Sequence, residues 1–203
     1  MGVKQTPSAI IFACAVSVSE YAAAGKQVEV AEQVCPRCQR RLNWWWGYWR
    51  QLRWGGERLE IWVRRARCPP CQVTHALLPD FVVRRRRYAV EEIGAALELG
   101  AKRVSAWRSS VQLELPFGTV RDWLRRCRQR AHEQLAKLAK LALRVGLQIG
   151  ELPALPLAAL VVVLRAVWAK SRECDQGIGE LWRFWNAVFS GAALASNTEP
   201  GWA

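Results

Sequence analysis

The cysteines are the residues of this sequence whose type and spacing most clearly indicate a chemical site. Cys35 and Cys38 form one C-x-x-C pair, and Cys68 and Cys71 form a second. Each pair can place two sulfurs on one metal ion, and four thiolates complete the closed tetrahedral shell of structural Zn²⁺. Because such a shell leaves no position for a substrate water, the sequence predicts a single structural zinc ion as the cofactor.

Two alternatives remain open at this site. The four cysteines could be unligated thiols, either buried or redox-active. His75 follows Cys71 by four residues and could replace one sulfur, although we favour a hydrogen bond from this histidine within its loop.

The segment between the two pairs must bring them together, and its pattern is that of a β-hairpin. Residues 43–54 and 57–67 are predicted strands, and Gly55-Gly56 between them is a strong turn signal. An isolated hairpin is marginally stable in water, so a bound metal would contribute free energy of folding. The sequence therefore predicts a zinc ribbon.

Arginine and tryptophan alternate along this hairpin. The tryptophans are Trp44, Trp45, Trp46, Trp49, Trp54 and Trp62, and the arginines predicted to hold phosphates are Arg50, Arg53, Arg64 and Arg65. Guanidinium groups bind phosphate in a bidentate manner, and indoles stack on bases. We expect most of the tryptophans to build a small core or to dock the helical region, with one or two left to stack on nucleic acid.

The overall charge points to the same class of partner. The 203 residues include 30 Lys and Arg against 17 Asp and Glu, a net charge of +13. This excess indicates a polyanion, with nucleic acid first and an anionic membrane second. Seven cysteines, three of them single, do not suggest a disulfide framework, so we expect a cytoplasmic, nucleoid-associated protein.

Four consecutive arginines follow the ribbon. They are Arg84, Arg85, Arg86 and Arg87, called here the basic run. Such runs are commonly solvated, but at the edge of a basic domain this one also suits a phosphate or minor-groove arm.

From Tyr88 onward the hydrophobic period becomes helical. After a first helix from Tyr88, helices are predicted over residues 104–112, 119–144, 157–171 and 178–190, with a loop from Ala195. The predicted fold class is α+β, mainly α, divided at residues 1–32, 33–87, 88–147 and 148–203. The C-terminal aromatic residues are expected in the core, or at an oligomer or partner interface: Trp168, Trp182, Phe184, Trp185 and Phe189.

Residues 104–112 and 119–130 resemble a helix-turn-helix. The second helix would bury a stripe that includes Trp123 and would present Thr119, Arg121, Asp122, Arg125, Arg126 and Arg128. Arg121 and Arg125 are the candidates for reading bases, while Thr119 and Arg128 suit phosphates. The alternative is an ordinary basic helix in a bundle, because the turn lacks the expected glycine.

The first 32 residues allow two interpretations. Lys4 and the apolar residues after it resemble a weak secretory signal. We favour a folded segment, extended over residues 10–16, helical over residues 18–24 behind a Ser17–Glu20 capping box, and a strand over residues 27–30. No apolar run has the length that a membrane span needs.

Residues 34–130 resemble the N-terminal module of several bacterial insertion-sequence transposases. The matching pieces are CPRCQRRL, GYWRQLRWGGERLEIWVRRARCPPC, THALLPDF, RRRRY and GTVRDWLRRCRQRA. The chain is also similar to a transposase-derived bacterial family of unknown function that lacks a nuclease. The resemblance implies a zinc ribbon and a helix-turn-helix that bind DNA. Gly118 replaces a serine that usually precedes the last helix, which should weaken its N-cap.

No catalytic constellation is evident. A transposase nuclease needs three carboxylates on an α/β domain, and the residues after Arg144 are too few for one; His75 and His132 lie near no nucleophile motif. We therefore predict a non-catalytic, zinc-dependent, sequence-preferring protein that binds double-stranded DNA and is transposase-derived or mobile-element associated. An RNA-binding module and an assembly subunit of a larger nucleoprotein complex are the alternatives, and no membrane partner is expected.

Overall fold

The computed structural model describes residues 9–175 and 178–195. Within them the strands are β1 Ala9–Phe12, β2 Asn43–Trp54, β3 Glu57–Arg67 and β4 Thr74–Pro79. The helices are α1 Val18–Ala24, α2 Val90–Ala101, α3 Ala106–Gln112, α4 Phe117–Arg144, α5 Pro156–Cys174 and α6 Leu181–Val188. The fold is α+β and mainly helical, as predicted. Lys4 and the predicted loop beyond Ala195 lie outside the described residues.

The four strands form one sheet in the order β1-β4-β3-β2. The β2–β3 hairpin has the predicted bounds, and its turn glycines, Gly55 and Gly56, have φ of 58° and 80°. Two successive positive φ angles match the twist of a tight hairpin, which is why glycine suits both positions. β1 pairs in parallel with β4, so the segment before the first cysteine pair is part of the ribbon's sheet.

The N-terminal segment confirms one prediction and corrects another. The capping box of α1 is present, because the amide of Glu20 donates to Ser17 Oγ and the amide of Ser17 donates to the Glu20 carboxylate. The strand predicted over residues 27–30 is wrong. Gly25–Gln27 is a 3-10 turn, and the carbonyl of Val28 accepts a hydrogen bond from the Arg64 guanidinium rather than from a neighbouring strand.

The helices pack through the stripes that the sequence indicated. α4 buries Trp123 and Cys127 on one side, together with Val120, Leu124, Ala131 and Leu138. α2 approaches its neighbours closely at two glycines, since a Cβ on Gly94 or Gly100 would lie 2.3 Å from Trp182 or Leu124. These contacts join α2, α4, α5 and α6 around one core.

The C-terminal aromatic residues contribute to this core, as expected. Trp185 is fully buried, and its Nε1 donates to Gln134 Oε1 at 2.9 Å. The rings of Trp182 and Phe189 contact Trp185 edge to face. None of the described helices is both long enough and apolar enough to cross a membrane.

The helices α3 and α4 begin at residues other than those predicted, because the N-cap residue decides where each helix starts. α3 begins at Ala106 because Ser105 caps it, its hydroxyl accepting from the Arg108 amide. α4 begins at Phe117 with Pro116 as the N-cap, so Gly118 lies inside the first turn and is not the capping residue. The cap therefore lies at Pro116 rather than at Gly118, but it is weak as expected, since no side chain caps the first turn. Proline fixes the entry angle but has no side chain that could accept a hydrogen bond.

Candidate metal centre and nucleic-acid surface

The four predicted metal-ligating cysteines converge on one point. The sulfur atoms of Cys35, Cys38, Cys68 and Cys71 all lie within 4.8 Å of one another. Cys38 and Cys68 are closest, with 3.4 Å between their sulfurs. Four thiolates around zinc at about 2.3 Å would be roughly 3.8 Å apart, so the sulfur positions fit a tetrahedral ion. Among the described residues this is the one cluster of metal-ligating side chains.

Each cysteine pair lies in a turn of the same design. The amide of Cys35 donates to the Arg40 carbonyl at 2.8 Å, and the amide of Cys68 donates to the Val73 carbonyl at 2.9 Å. The residues after the second cysteines, Gln39 and Gln72, have φ of 56° and 57°. The sequence signal for this correspondence is the repeated C-P-x-C-Q, of which the two C-x-x-C pairs are only a part.

The turns favour thiolates at some positions and disfavour them at others. A hydrogen bond from the backbone of Arg40 lowers the pKa of Cys38 to about 7. The hydrogen bond with Cys38, together with burial, raises the pKa of Cys71 to about 12. A thiolate at one cysteine therefore opposes the loss of a proton from a neighbouring thiol, because the sulfurs lie so close together. A divalent cation at the centre would remove that opposition and stabilise four thiolates together.

His75 lies beside this centre, in strand β4 rather than in a loop. The side chain is buried, and its Nε2 lies 3.7 Å from the Cys35 sulfur. This contact is a hydrogen bond to a ligand and not a fifth ligand position, in line with the role that we favoured. Such partners orient a ligand and tune its basicity.

The hairpin arginines predicted as phosphate contacts are engaged within the protein. Arg50 donates to the carbonyls of Val83 and Arg86. The remaining three contact the N-terminal segment, β4 or the segment before α2: Arg64 with Lys26 and Val28, Arg65 with Thr74, and Arg53 with Tyr88. These guanidiniums tie the ribbon to its surroundings, so they are less available to phosphate than the sequence suggested.

The hairpin tryptophans are more exposed than expected. Trp44, Trp45 and Trp46 are 49%, 60% and 64% exposed. Trp49 is exposed to a similar degree, but its ring also contacts Trp62 and approaches Gly25 of the N-terminal segment. The expectation of a mostly internal cluster is thus wrong for the first three.

The basic run is divided between internal contacts and the surface. The amide of Arg84 donates to the Gly191 carbonyl, and Arg86 contacts Asp122 and the Leu194 carbonyl. Arg85 and Arg87 are exposed. The run is therefore held against α4 and the segment after α6, and does not extend away as a free arm.

The outer side of α4 presents the predicted recognition residues. Arg121, Arg125 and Arg128 are exposed, and Thr119 is half-buried in the first turn. Arg125 donates to Asp122 at 2.7 Å, and Arg121 lies over the ring of Phe117. Arg121, Arg125 and Arg128 share one helix face because they recur at four- and three-residue intervals, whereas Thr119 lies off that face.

Two features of α3 and of the connection that follows it were not predicted from the sequence. Trp107 on α3 is 63% exposed, although its spacing from Val104 and Val111 resembles a buried stripe. The connection between α3 and α4 places Glu114 at φ 54°, so a glutamate occupies the left-handed position where glycine was expected.

A largely buried polar cluster lies at the end of β4. Asp80 follows β4, accepts from the Cys14 amide at 3.3 Å, and lies 3.7 Å from the Arg183 guanidinium of α6. Arg183 also donates to Glu91 of α2 at 2.9 Å. Burial raises the pKa of Asp80 to about 6, although Arg183 opposes the change. The cluster links the end of the sheet to two helices.

Comparison with known proteins gives one match. Residues 35–112 match a family model described as a domain of unknown function, DUF6431. The matched segment begins at the first metal-ligating cysteine and ends with α3, and the description names no activity. No curated protein and no solved structure matches the chain.

Proposed function

We propose that this protein binds double-stranded DNA without catalysing a reaction, with a zinc ion supporting the ribbon and α4 entering the major groove. The observation that supports it best is the exposed face of Arg121, Arg125 and Arg128 on α4. Arginine is the side chain that most often contacts guanine edges, and a row of three can read bases and hold phosphates together.

The arrangement around α4 suits this role. α3 and α2 pack against its inner side, which leaves the first turns accessible. The connection of residues 113–116 is short, and Glu114 provides its left-handed turn. The amino end of a helix also has a partial positive charge, which favours a phosphate near Thr119. In helix-turn-helix proteins the second helix enters the major groove by its N-terminal residues, and the accessible first turns of α4 would suit that role.

The basic run would contact the flanking backbone. Arg86 is fixed to Asp122 of α4, so Arg85 and Arg87 lie next to the proposed recognition helix. Contacts from these residues to phosphates would add affinity for any sequence and would depend strongly on salt.

The metal and the origin of the protein belong to the same proposal. Four thiolates at tetrahedral spacing are the donor set of structural zinc, and the ion would hold the two C-P-x-C-Q turns together. Derivation from a mobile-element transposase is supported by the motif resemblance described above. On this proposal the protein acts in the cytoplasm, at the nucleoid, by binding DNA and without catalysing a reaction.

The test begins with selection of preferred duplexes from a random pool. The affinity of the protein for a labelled enriched duplex is then measured by titration and compared with its affinity for an unrelated duplex. Arg125→Ala should weaken binding to the enriched duplex about tenfold or more, a loss of about 1–3 kcal/mol, and should reduce the preference. Arg85→Ala should weaken both duplexes alike and flatten the salt dependence.

Arg144→Ala is the matched control. It removes the same charge from the same helix, about 28 Å from Arg125 along the axis. Unchanged duplex affinity in both Arg125→Ala and Arg85→Ala would overturn the proposal. An equal loss in Arg144→Ala would show that net charge, and not this face, determines binding.

A further inference from the structure

We propose that Trp44, Trp45 and Trp46 form a platform for unpaired nucleotides of DNA, separate from α4. The platform is defined here as these three residues at the start of β2. The proposal rests on the proposed function for the identity of the polymer, but it adds a second ligand class, single strands, on a different surface.

The first argument is the exposure of three consecutive tryptophans. In a regular strand, successive side chains point to opposite faces, so one of three would turn inward. Here the β2–β3 register shifts between Trp44 and Trp46, which leaves Trp45 as the extra residue of a bulge. All three indoles therefore stay at the surface, each about half exposed or more. An apolar patch of this kind marks a binding surface.

The second argument is that cations lie over two of the three rings and hold those two in place. The Arg64 guanidinium lies over the Trp44 ring at 5.3 Å, and that of Arg67 lies over the Trp45 ring at 4.9 Å. Arg64 is itself fixed by hydrogen bonds to the carbonyls of Lys26 and Val28. The rings are therefore pre-organised, which reduces the entropy lost when a base stacks on them.

The third argument is the position of the platform next to the metal centre. Arg67, which contacts Trp45, directly precedes the ligand Cys68. Beside Trp44 lies a groove of about 420 Å³, with Asn43, Gln33 and the Arg41–Glu32 ion pair among its lining residues. Next to a stacking surface, an amide can donate a hydrogen bond to the edge of an unstacked base or accept one from it, and a carboxylate can accept one.

The positive charge of the residues around the platform favours nucleotides over other occupants. Residues 35–71 contain nine arginines and two glutamates. This excess complements a phosphodiester chain, whereas a neutral peptide or a second copy of this basic chain would gain nothing from it. The combination of aromatic faces with a positive surround is typical of proteins that bind single strands.

The platform and α4 lie at opposite ends of the hairpin. Eight residues of β2 separate Trp45 from Arg53, about 26 Å along the strand. Arg53 contacts Tyr88, whose ring packs on Trp123 of α4 at 5.0 Å. Substitutions at the two surfaces should therefore act independently.

The experiment measures the fluorescence anisotropy of a labelled oligothymidylate of about 15 nucleotides, which has no duplex structure. Trp45→Ala and Trp46→Ala should each weaken its binding about tenfold, and Trp45→Phe should recover most of the loss because a stacking face returns. Trp107→Ala is the matched control, since its indole is equally exposed, at 63%, but lies on α3. Metal content and circular dichroism should be unchanged in all four variants.

Several results would overturn the proposal. These are unchanged oligothymidylate binding in both alanine variants, an equal loss in Trp107→Ala, and tighter binding of oligouridylate than of oligothymidylate. Loss of a dimer in sedimentation without loss of binding would assign the platform to self-association instead. If Trp45→Ala weakens the oligothymidylate while Arg125→Ala leaves duplex binding intact, the α4 proposal fails and the platform remains.

Discussion

Arg86 of the basic run and Asp122 of α4 face each other across the junction between ribbon and helices, with 3.5 Å between Nη1 and Oδ2. The same carboxylate accepts from Arg126 at 2.7 Å and from Arg125 at 2.7 Å. One anion thus organises three cations at the proposed DNA surface. Although its partial burial opposes ionisation, hydrogen bonds from Arg126 and Arg125 lower the pKa of Asp122.

Asp122→Asn should reduce the free energy of unfolding at neutral pH by about 1 kcal/mol, because two partly buried guanidiniums and the exposed one of Arg125 lose their anion. The same change should raise affinity for an unrelated duplex about threefold at low salt, since a repulsive charge is removed and Arg125 is released. Urea denaturation and anisotropy titration measure the two effects. Glu133→Gln, which breaks the more exposed pair with Arg130, is the control; an equal change in that variant would contradict the role given to Asp122.

The metal centre should be required for folding. Cys38→Ser should abolish stoichiometric metal binding, as measured by elemental analysis, and should lower the melting temperature by more than 10 °C, because the loss of a structural site costs several kcal/mol. Cys174→Ser changes an exposed thiol at the end of α5 and should have no effect on either measurement. A metal-free Cys38→Ser protein as stable as the wild type would contradict the structural role.

Two helical glycines should respond to alanine in opposite directions. Gly118 has open space around its Cβ position, so Gly118→Ala should stabilise the protein by about 0.5–1 kcal/mol through helix propensity. Gly94→Ala would place a methyl group 2.3 Å from the Trp182 ring and should destabilise by about 1–3 kcal/mol. Thermal and urea unfolding measure both, and a shared sign would show that the packing of α2 on α6 differs from this description.

The buried carboxylate of Asp80 should make stability depend on pH. Burial raises its pKa from 3.8 to about 6, so the folded state binds the proton more tightly than the unfolded state. The contribution of this group to stability is therefore greatest below pH 4 and is lost as pH rises through 6. The carboxylate lies near Arg183, Glu91 and the half-buried thiol of Cys14.

Asp80→Asn removes that dependence. The unfolding free energy of the wild type relative to this variant should fall by on the order of 2 kcal/mol between pH 4 and pH 7. Urea titrations of both proteins across that range measure the difference between their unfolding free energies. Acid acts on the metal ligands of both proteins alike, so that separate effect cancels in the difference. A flat or rising difference would show that Arg183 outweighs the burial of Asp80.

Local signals in the sequence were sufficient for much of the fold. The hairpin bounds follow from Gly55-Gly56 between two alternating segments, and the capping box of α1 follows from Ser17 and Glu20. The cysteine cluster follows from the two C-x-x-C pairs and from the hairpin between them, which brings the pairs together. Each of these signals lies within a short segment, and the elements that they predict agree with one another.

Long-range contacts explain what the sequence did not reveal. The segment over residues 27–30 has alternating residues, yet the Arg64 side chain takes its carbonyl hydrogen bonds and no strand forms. The engagement of Arg50 and Arg64 depends on which carbonyls lie nearby, which charge counting cannot show. The exposure of Trp44–46 depends on a single extra residue in the register of β2 and β3.

The parallel pairing of β1 with β4 limits how the metal-binding part can be exchanged between proteins. A segment that begins at Cys35, where the family match begins, would lack β1. The backbone groups of β4 that pair with β1 would then be exposed. Such bare edges recruit other strands and lead to aggregation. Any lineage that inherits this ribbon as a transferable unit must therefore bring the preceding strand with it, or replace it with another way of covering the same edge.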